Sequence, residues 1–292
     1  MPDASKLGRR ELLRSGALAS LTVLGGVPFV ACRRTSAVSA ERAAEGVTVL
    51  AGAARADVEE VRTGLPKGAD LLRAYFAAGS FEDAAVARET LEKTRSKIQD
   101  LRIAKSTFFA LVDLKGTVIR SDLEHDGLAG KNVFAPFPKL ERALSGAYVE
   151  TRGEMAEAAG VRGRKDGQWV AAAPVRAEDG KVLGLYVTGW SWSAYAYRLE
   201  NQLRSHVRSA LGEREKEPLV YVFVVVGADA FGTPIVPEVN AKSVREQGFH
   251  TKNAATPLKA ELEITGREFG LAYVTVSELG ESTGVAVLRS ET

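Results

Sequence analysis

Cysteine is nearly absent: Cys32 is the single one among 292 residues. One thiol cannot build a disulfide, a cysteine-ligated zinc site or an iron–sulfur cluster within one subunit. Histidine is almost as scarce. His125, His206 and His250 are scattered, with no His-Glu-x-x-His or comparable pairing, so no zinc hydrolase centre is expected. No sign of charge predominates either. With 39 basic against 37 acidic residues, well mixed along the chain, there is no electrostatic footprint for nucleic acid. A run of about 20 predominantly apolar residues, the length a spanning helix requires, is also missing.

Nucleophile and phosphate motifs are incomplete. Gly189-Trp190-Ser191-Trp192-Ser193 approaches the elbow G-x-S-x-G but lacks the closing glycine, and its tryptophans read better as core at a strand-to-helix junction. Gly127-Leu128-Ala129-Gly130-Lys131-Asn132 has neither the spacing nor the hydroxyl of a P-loop. Asp122-Leu123-Glu124-His125-Asp126 is acidic but lacks calcium-loop spacing, and reads as a solvated loop. We therefore expect no enzyme, no cofactor and no metal.

What the chain does have is an export address. Gly8-Arg9-Arg10-Glu11-Leu12-Leu13-Arg14 resembles a twin-arginine translocation motif, with Arg9 and Arg10 as its pair, and a weakly hydrophobic run from Ser15 to Ala31 follows. That run ends in Phe29-Val30-Ala31-Cys32, which resembles a lipobox, although such motifs usually carry Leu where Phe29 stands. The resemblance implies cleavage before Cys32 and acylation of its thiol, giving a lipid-anchored periplasmic protein. A competing cut follows Val38-Ser39-Ala40 and would release a soluble one. Residues 1–31 carry Lys6, Arg9, Arg10 and Arg14 against Asp3 and Glu11, so their removal from 39 basic and 37 acidic residues leaves 35 of each. The mature chain is formally neutral.

With 45% hydrophobic residues the remainder can bury a sizeable core. Residues 33–106 read as a tether and helices: Val47, Leu50, Ala54, Val58 and Val61 fall at helical spacing, and Gly64-Leu65-Pro66-Lys67-Gly68 is expected to stop that helix. A second helix is expected near Ala69, pausing at Gly79-Ser80 and resuming from Phe81 to about Ala104. From Thr107 the period shortens. Residues 107–212 read as a hairpin (Phe108–Asp113, Thr117–Arg120), a short helix Pro138–Ser145, three strands near 147–153, 168–174 and 181–190, and a helix from about Ala194 to Leu211. Residues 213–292 repeat this order more weakly, with Gly232–Val236 as the second strand, a short helix near Ala241–Gln247 and three final strands. Glu213–Pro218 is the expected seam.

Residues 107–212 resemble an extracytoplasmic Cache domain, the PAS-like sensor module of bacterial chemoreceptors and histidine kinases. The resemblance rests on Leu111-Val112-Asp113-Leu114-Lys115-Gly116, Gly130-Lys131-Asn132-Val133, Ala143-Leu144-Ser145-Gly146, Ala172-Ala173-Pro174-Val175 and Asp179-Gly180-Lys181-Val182-Leu183-Gly184-Leu185. It implies an α+β fold: long N-terminal helices followed by one or two Cache/PAS-like modules with antiparallel sheets. It also implies small-molecule sensing in a pocket between sheet and covering helix. Such sensors usually continue through a membrane helix, whereas this sequence ends at Thr292, so a separate membrane signalling or envelope protein is the expected partner.

All three tryptophans fall between 169 and 192, and Tyr148, Arg152, Trp169 and Tyr186 lie on strands expected to form the pocket wall. Aromatic walls with one guanidinium suit a small carboxylate or an aromatic ligand. The reading is a ligand-binding or sensory lipoprotein. The alternative is an envelope scaffolding protein with no functional pocket, marked by a filled core.

Overall fold

The computed structural model describes residues 27–79, 81–156, 165–212 and 215–291. Arg9 and Arg10 lie outside these residues, and the Cys32 side chain is outside those described. The first described element, α1 (Val27–Leu71), is a helix of 45 residues, about 68 Å long at a rise of 1.5 Å per residue. Val47, Leu50, Ala54, Val58, Val61 and Leu65 recur every three or four positions and are fully buried, so one stripe of the helix serves as the spine of the molecule.

The expected stop at Gly64–Gly68 is not observed: α1 runs through Pro66 to Leu71. The two glycines serve close packing instead. A Cβ on Gly64 would come within 2.8 Å of the Leu101 side chain, and one on Gly68 within 2.7 Å of the Tyr186 ring. Their missing side chains let the helix lie directly on its neighbours.

Three short helices follow. Of these, α2 (Arg73–Ala78) ends at Gly79, which adopts φ +65°. Next, α3 (Ala84–Lys97) starts at Asp83, whose carboxylate accepts the Ala85 and Val86 N–H groups, and α4 (Gln99–Ile103) leads into the first sheet. The stretch expected as one helix from Phe81 to Ala104 is thus broken at Ile98, whose extended backbone separates α3 from α4.

The first module holds β1 (Phe108–Val112), β2 (Val118–Ser121), a 3-10 helix Pro138–Ser145, β3 (Val149–Ala156), β4 (Lys165–Arg176) and β5 (Val182–Ser191), followed by the connecting helix α5 (Trp192–Ala210). The second holds β6 (Leu219–Val226), β7 (Asp229–Phe231), α6 (Glu238–Glu246), β8 (Leu258–Ile264), β9 (Arg267–Thr275) and β10 (Thr283–Ser290). Both sheets are antiparallel with the same permuted order, β2-β1-β5-β4-β3 and β7-β6-β10-β9-β8. The fold is α+β. One strand differs from expectation: β7 lies at Asp229–Phe231, because Gly227 at φ +55° turns the chain back at once and pairs Val226 with Asp229. Residues 232–236 are then left as connection.

Each sheet is covered on both faces, which explains apolar runs such as Phe108–Val112, buried at every position. Phe109, Leu111, Ala171, Tyr186 and Trp190 face α1, while Phe108, Ala110, Val170, Ala172 and Val187 face Phe137 and Leu140 from the covering segment. In the second module Val222, Val224, Val274 and Val285 join the α1 core, and Phe223, Tyr273 and Leu288 pack with Val244 of α6. Trp169, Trp190 and Tyr195 stack in a column with ring centroids 4.3 and 4.8 Å apart. Burying aromatic side chains of this size contributes about 1.5–3 kcal/mol apiece.

The ends of α1 serve different modules. Ser36 donates to Glu261, Lys259 and Glu41 pair at 2.6 Å, and the Glu291 N–H donates to Ser39 Oγ, all against the second sheet. At the other end Arg62 grips Glu150 of β3 through two donors, at 2.5 and 3.2 Å.

Candidate functional site

Where α1 passes between the sheets, their neighbouring edges leave a cleft of about 690 Å³. Its first-module wall comes from β3, the start of β4 and Trp192 of α5; its second-module wall comes from Asp229, Phe231 and the loop 277–282. Alternation along β3 sets the chemistry. Glu150, Arg152 and Glu154 share one face at a spacing of two residues, and the register places Arg152 opposite Trp169. Gly167, opposite Glu154, is bare because the Trp192 indole and Phe231 ring press against it.

Arg152 crosses the cleft. Its Nη1 donates to the Glu281 carbonyl at 2.8 Å and to Thr283 Oγ1 at 2.5 Å, so one guanidinium joins β3 to the second module. Gly280 makes room: it adopts φ +125°, and a Cβ there would lie 2.6 Å from Arg152 Nε. Burial lowers the pKa of Arg152, with the Glu281 carboxylate opposing that shift. The flanks are pinned from α1, where Arg62 holds Glu150 and Arg55 pairs with Glu278 at 3.4 Å. Glu154, Asp229, Glu281 and Lys139 are exposed on the lining and, among the described residues, make no ion pair within 4 Å. Arg152 itself donates to a carbonyl and a hydroxyl rather than to a carboxylate, so three unpaired carboxylates face two cations and the cleft keeps a small negative excess.

The four residues read as one pocket wall separate into two groups. Arg152 and Trp169 line the cleft, Trp169 only by an edge since it is 1% exposed. Tyr148 and Tyr186 share that face of the sheet but lie under α1. Tyr186 is fully buried, stacked on Phe109 with centroids 5.6 Å apart and pressed against Gly68. Tyr148 is half-buried and donates to Glu150 at 3.2 Å. Burial raises the pKa of both phenols. The single-cavity expectation is thus corrected: the helix covers the middle of that face, and only the strand ends beyond it open. The opposite face of the sheet is filled as well. Phe137, Leu140, Ala143 and Met155 occupy it, and the Phe137 ring comes within 2.7 Å of where a Cβ on Gly153 would stand.

The remaining motifs have local roles. Ser191 caps α5 by accepting the Ala194 N–H at 3.3 Å, and the Ser193 N–H donates to Asp166 at 3.1 Å. In the acidic loop, Asp122 accepts the Phe109 N–H at 2.7 Å and Asp126 accepts the Ser121 N–H and hydroxyl. Among the described residues no group of three or more His, Cys, Asp or Glu side chains is arranged to hold a metal ion. No helix among them is long and apolar enough to cross a membrane. Sequence reasoning missed Glu150, Glu154, Asp229 and Glu281. The first two carried a signal, charged residues at i, i+2 and i+4 of a strand; the others depend on how the modules meet.

No family model and no curated protein matches the chain. Its fold does recur among solved structures. The chain superposes on a domain described as a sensory box/GGDEF family protein from Vibrio parahaemolyticus with a TM-score of 0.56 at 11% identity, covering 88% of this chain and 98% of that one. The extracellular domain of a protein described as the histidine kinase vpHK1S-Z8 gives 0.56 at 11%, covering 89% and 93%. An extracellular ligand binding receptor from Desulfohalobium retbaense gives 0.53 at 13% and covers 84% of this chain, which spans 39% of that receptor's length. At these identities the likeness is one of fold.

Proposed function

We propose that this protein is a non-enzymatic, Cache-like sensory module that binds a small molecule in the cleft between its two sheets. The observation that carries the reading is the Arg152 bridge: an occupant of that cleft touches both modules at the point where one side chain links them. A ligand preferring one spacing of the modules would shift their equilibrium by its difference in affinity for the two arrangements. The fold shared with extracellular and sensory domains supports the same reading. Residues 33–106 act as tether and spine, 107–212 as the first module and 213–292 as the second.

The lining favours an amine-bearing ligand over the small carboxylate expected from sequence. The Arg152 donors are already engaged by the Glu281 carbonyl and the Thr283 hydroxyl, and the unpaired carboxylates of Glu154, Asp229 and Glu281 outnumber the two cations, Lys139 and Arg152. A carboxylate would meet one more like charge than opposite charge, whereas an ammonium would find carboxylate partners on both walls.

Residues 1–32 carry the chain out of the cytoplasm by the twin-arginine route, and acylated Cys32 holds it at a periplasm-facing membrane beside a signalling partner. Cleavage before Cys32 is favoured over cleavage after Ala40. The latter would remove Ser36 and Ser39, which bond Glu261 and Glu291, and the 39–40 backbone packed tightly on Gly270.

The test is a thermal-shift screen of polyamines, simple amines and carboxylates. An amine should raise the midpoint of the wild type, by about 2.7 kcal/mol of stabilisation at a hundredfold excess over Kd, and should leave Asp229→Asn unshifted. Shifts confined to carboxylates, or no shift at all, contradict the reading.

A further inference from the structure

The aromatic column under α1 begins at the cleft and ends on a carboxylate. Trp169 of β4 borders the cleft, and its indole stacks on Trp190 of β5 at 4.3 Å with 13° between the planes. Trp190 stacks in turn on Tyr195 of α5 at 4.8 Å and 21°, and the Tyr195 hydroxyl donates to Asp57 Oδ2 of α1 at 2.7 Å. All four side chains are buried, none more than 5% exposed. Asp57 lies at a second opening, a groove between α1, Lys105 and α5 that shares no residue with the cleft. Rings in contact therefore cross the core from one opening to the other.

Two details exceed what packing requires. The Trp190 Nε1–H is buried with no hydrogen-bond partner, where such groups are ordinarily satisfied. Tyr195 has a carboxylate as its acceptor, which makes the stronger, charge-assisted bond. Other tyrosines lack one feature or the other. Tyr186 stacks on Phe109 and buries its hydroxyl without a partner. Tyr148 donates to Glu150 but, among the described residues, shares no ring contact with a tryptophan.

We propose that the column is a one-electron relay, which carries an oxidising equivalent from the cleft to Tyr195 and delivers the tyrosine's proton to Asp57. A small radical oxidant entering the cleft takes one electron from Trp169 and leaves as its reduced anion. The Trp169 radical cation recovers an electron from Trp190, and Trp190 recovers one from Tyr195. As that last electron leaves, the Tyr195 O–H bond breaks and its proton passes to Asp57 Oδ2. The products are a neutral tyrosyl radical, a neutral carboxyl group and two indoles restored to their reduced, protonated form. The orphaned Trp190 Nε1–H has a part in this sequence: with no acceptor it cannot shed its proton, so the radical cation stays a strong oxidant and passes the hole onward. Charge is balanced as well. The positive charge that enters is cancelled by the Asp57 carboxylate, so no uncompensated charge remains in the core, where it would be costly. Burial raises the pKa of Asp57 to about 6, which makes it a stronger base than an ordinary carboxylate. A one-electron reductant of the ascorbate class at the groove reverses the last step, with Asp57 returning the proton. The relay thus draws oxidative damage away from the cleft lining, whichever molecule the cleft holds.

The test is pulse radiolysis of the full chain with the azide radical, a one-electron oxidant of tryptophan small enough to enter the cleft. The tryptophan radical should decay as a tyrosyl radical rises, with one rate constant independent of protein concentration, and electron paramagnetic resonance should identify the tyrosyl product. Tyr195→Phe and Trp190→Phe should each abolish this transfer, since phenylalanine fills the stack without being oxidised. Asp57→Asn should slow it by about tenfold or more, through loss of the charged proton acceptor. Because these substitutions touch the core, the wild type supplies two readouts of its own. Transfer should slow in heavy water. It should also slow about tenfold between about pH 7 and about pH 5, as Asp57, faced by Glu60 of α1, Tyr195 and Arg198 of α5 and Lys105, becomes protonated. No unimolecular transfer in the wild type, transfer that persists in Tyr195→Phe or in Trp190→Phe, or a wild-type rate indifferent to both pH and heavy water overturns the relay.

Discussion

Arg152 of β3 donates to the Glu281 carbonyl at 2.8 Å, and this contact joins two sheets whose strand orders are otherwise repeats of each other. Removing it should loosen the junction without dismantling either sheet. Arg152→Ala is expected to cost about 1–2 kcal/mol, the range of a hydrogen bond to a charged group discounted for its half-exposed position. Gly280→Ala should cost about 1–3 kcal/mol, because φ +125° is strained for alanine and the new Cβ meets the guanidinium. Urea midpoints of the two variants and the double variant measure both costs. A double variant no worse than the poorer single one would identify them as one coupled contact.

Asp57 and Asp122 give the stability a pH dependence of unusual sign. Burial raises each from 3.8 to about 6; the Tyr195 hydrogen bond partly offsets this at Asp57, and the Phe109 N–H does so at Asp122. A carboxyl whose folded pKa lies above its unfolded value binds more protons in the native state between the two. Its favourable contribution is therefore fully present below about 4 and lost as pH rises to about 6, on the order of 2–3 kcal/mol for each group. Asp57→Asn should flatten that part of a stability profile recorded between pH 4 and 7. A slope unchanged by the substitution would show that Asp57 titrates normally.

The two helix glycines Gly52 and Gly68 should respond in opposite directions to alanine. Gly52 has nothing within 4 Å of a new Cβ, so alanine should stabilise by about 0.5–1 kcal/mol through helix propensity. At Gly68 the Cβ would meet the Tyr186 ring at 2.7 Å, and overpacking should cost about 1–3 kcal/mol. Thermal denaturation of the pair checks the sign of each.

These glycines also mark the limit of the sequence reading. The hairpin at Phe108 and the strands of both modules other than β7 were legible, because alternation and turn residues act locally. Gly64 and Gly68 read as a helix stop, since nothing in their neighbourhood reveals that Leu101 and Tyr186 would pack against them. The site divides in the same way. Arg152 and Trp169 were found from their strands, but α1 covers Tyr148 and Tyr186, and where a helix crosses a sheet is a property of the whole core. Asp229 and Glu281 join Arg152 only through the meeting of two modules separated by the whole of α5.

Export and anchoring can be separated by two variants. Lysine at both Arg9 and Arg10 should leave precursor in the cytoplasm. Cys32→Ala should move the protein from the membrane fraction to the soluble periplasm. If wild type and Cys32→Ala are both soluble there, the cut after Ala40 replaces the lipid anchor.

The most direct measurement is a tryptophan-fluorescence titration with amines, because Trp169 and Trp192 both border the cleft. The account predicts a saturable change in the wild type that is lost in the Glu154→Gln, Asp229→Asn double variant while its thermal midpoint stays the same. A response that persists in the double variant, or no saturable response to any amine, would contradict ligand binding between the modules.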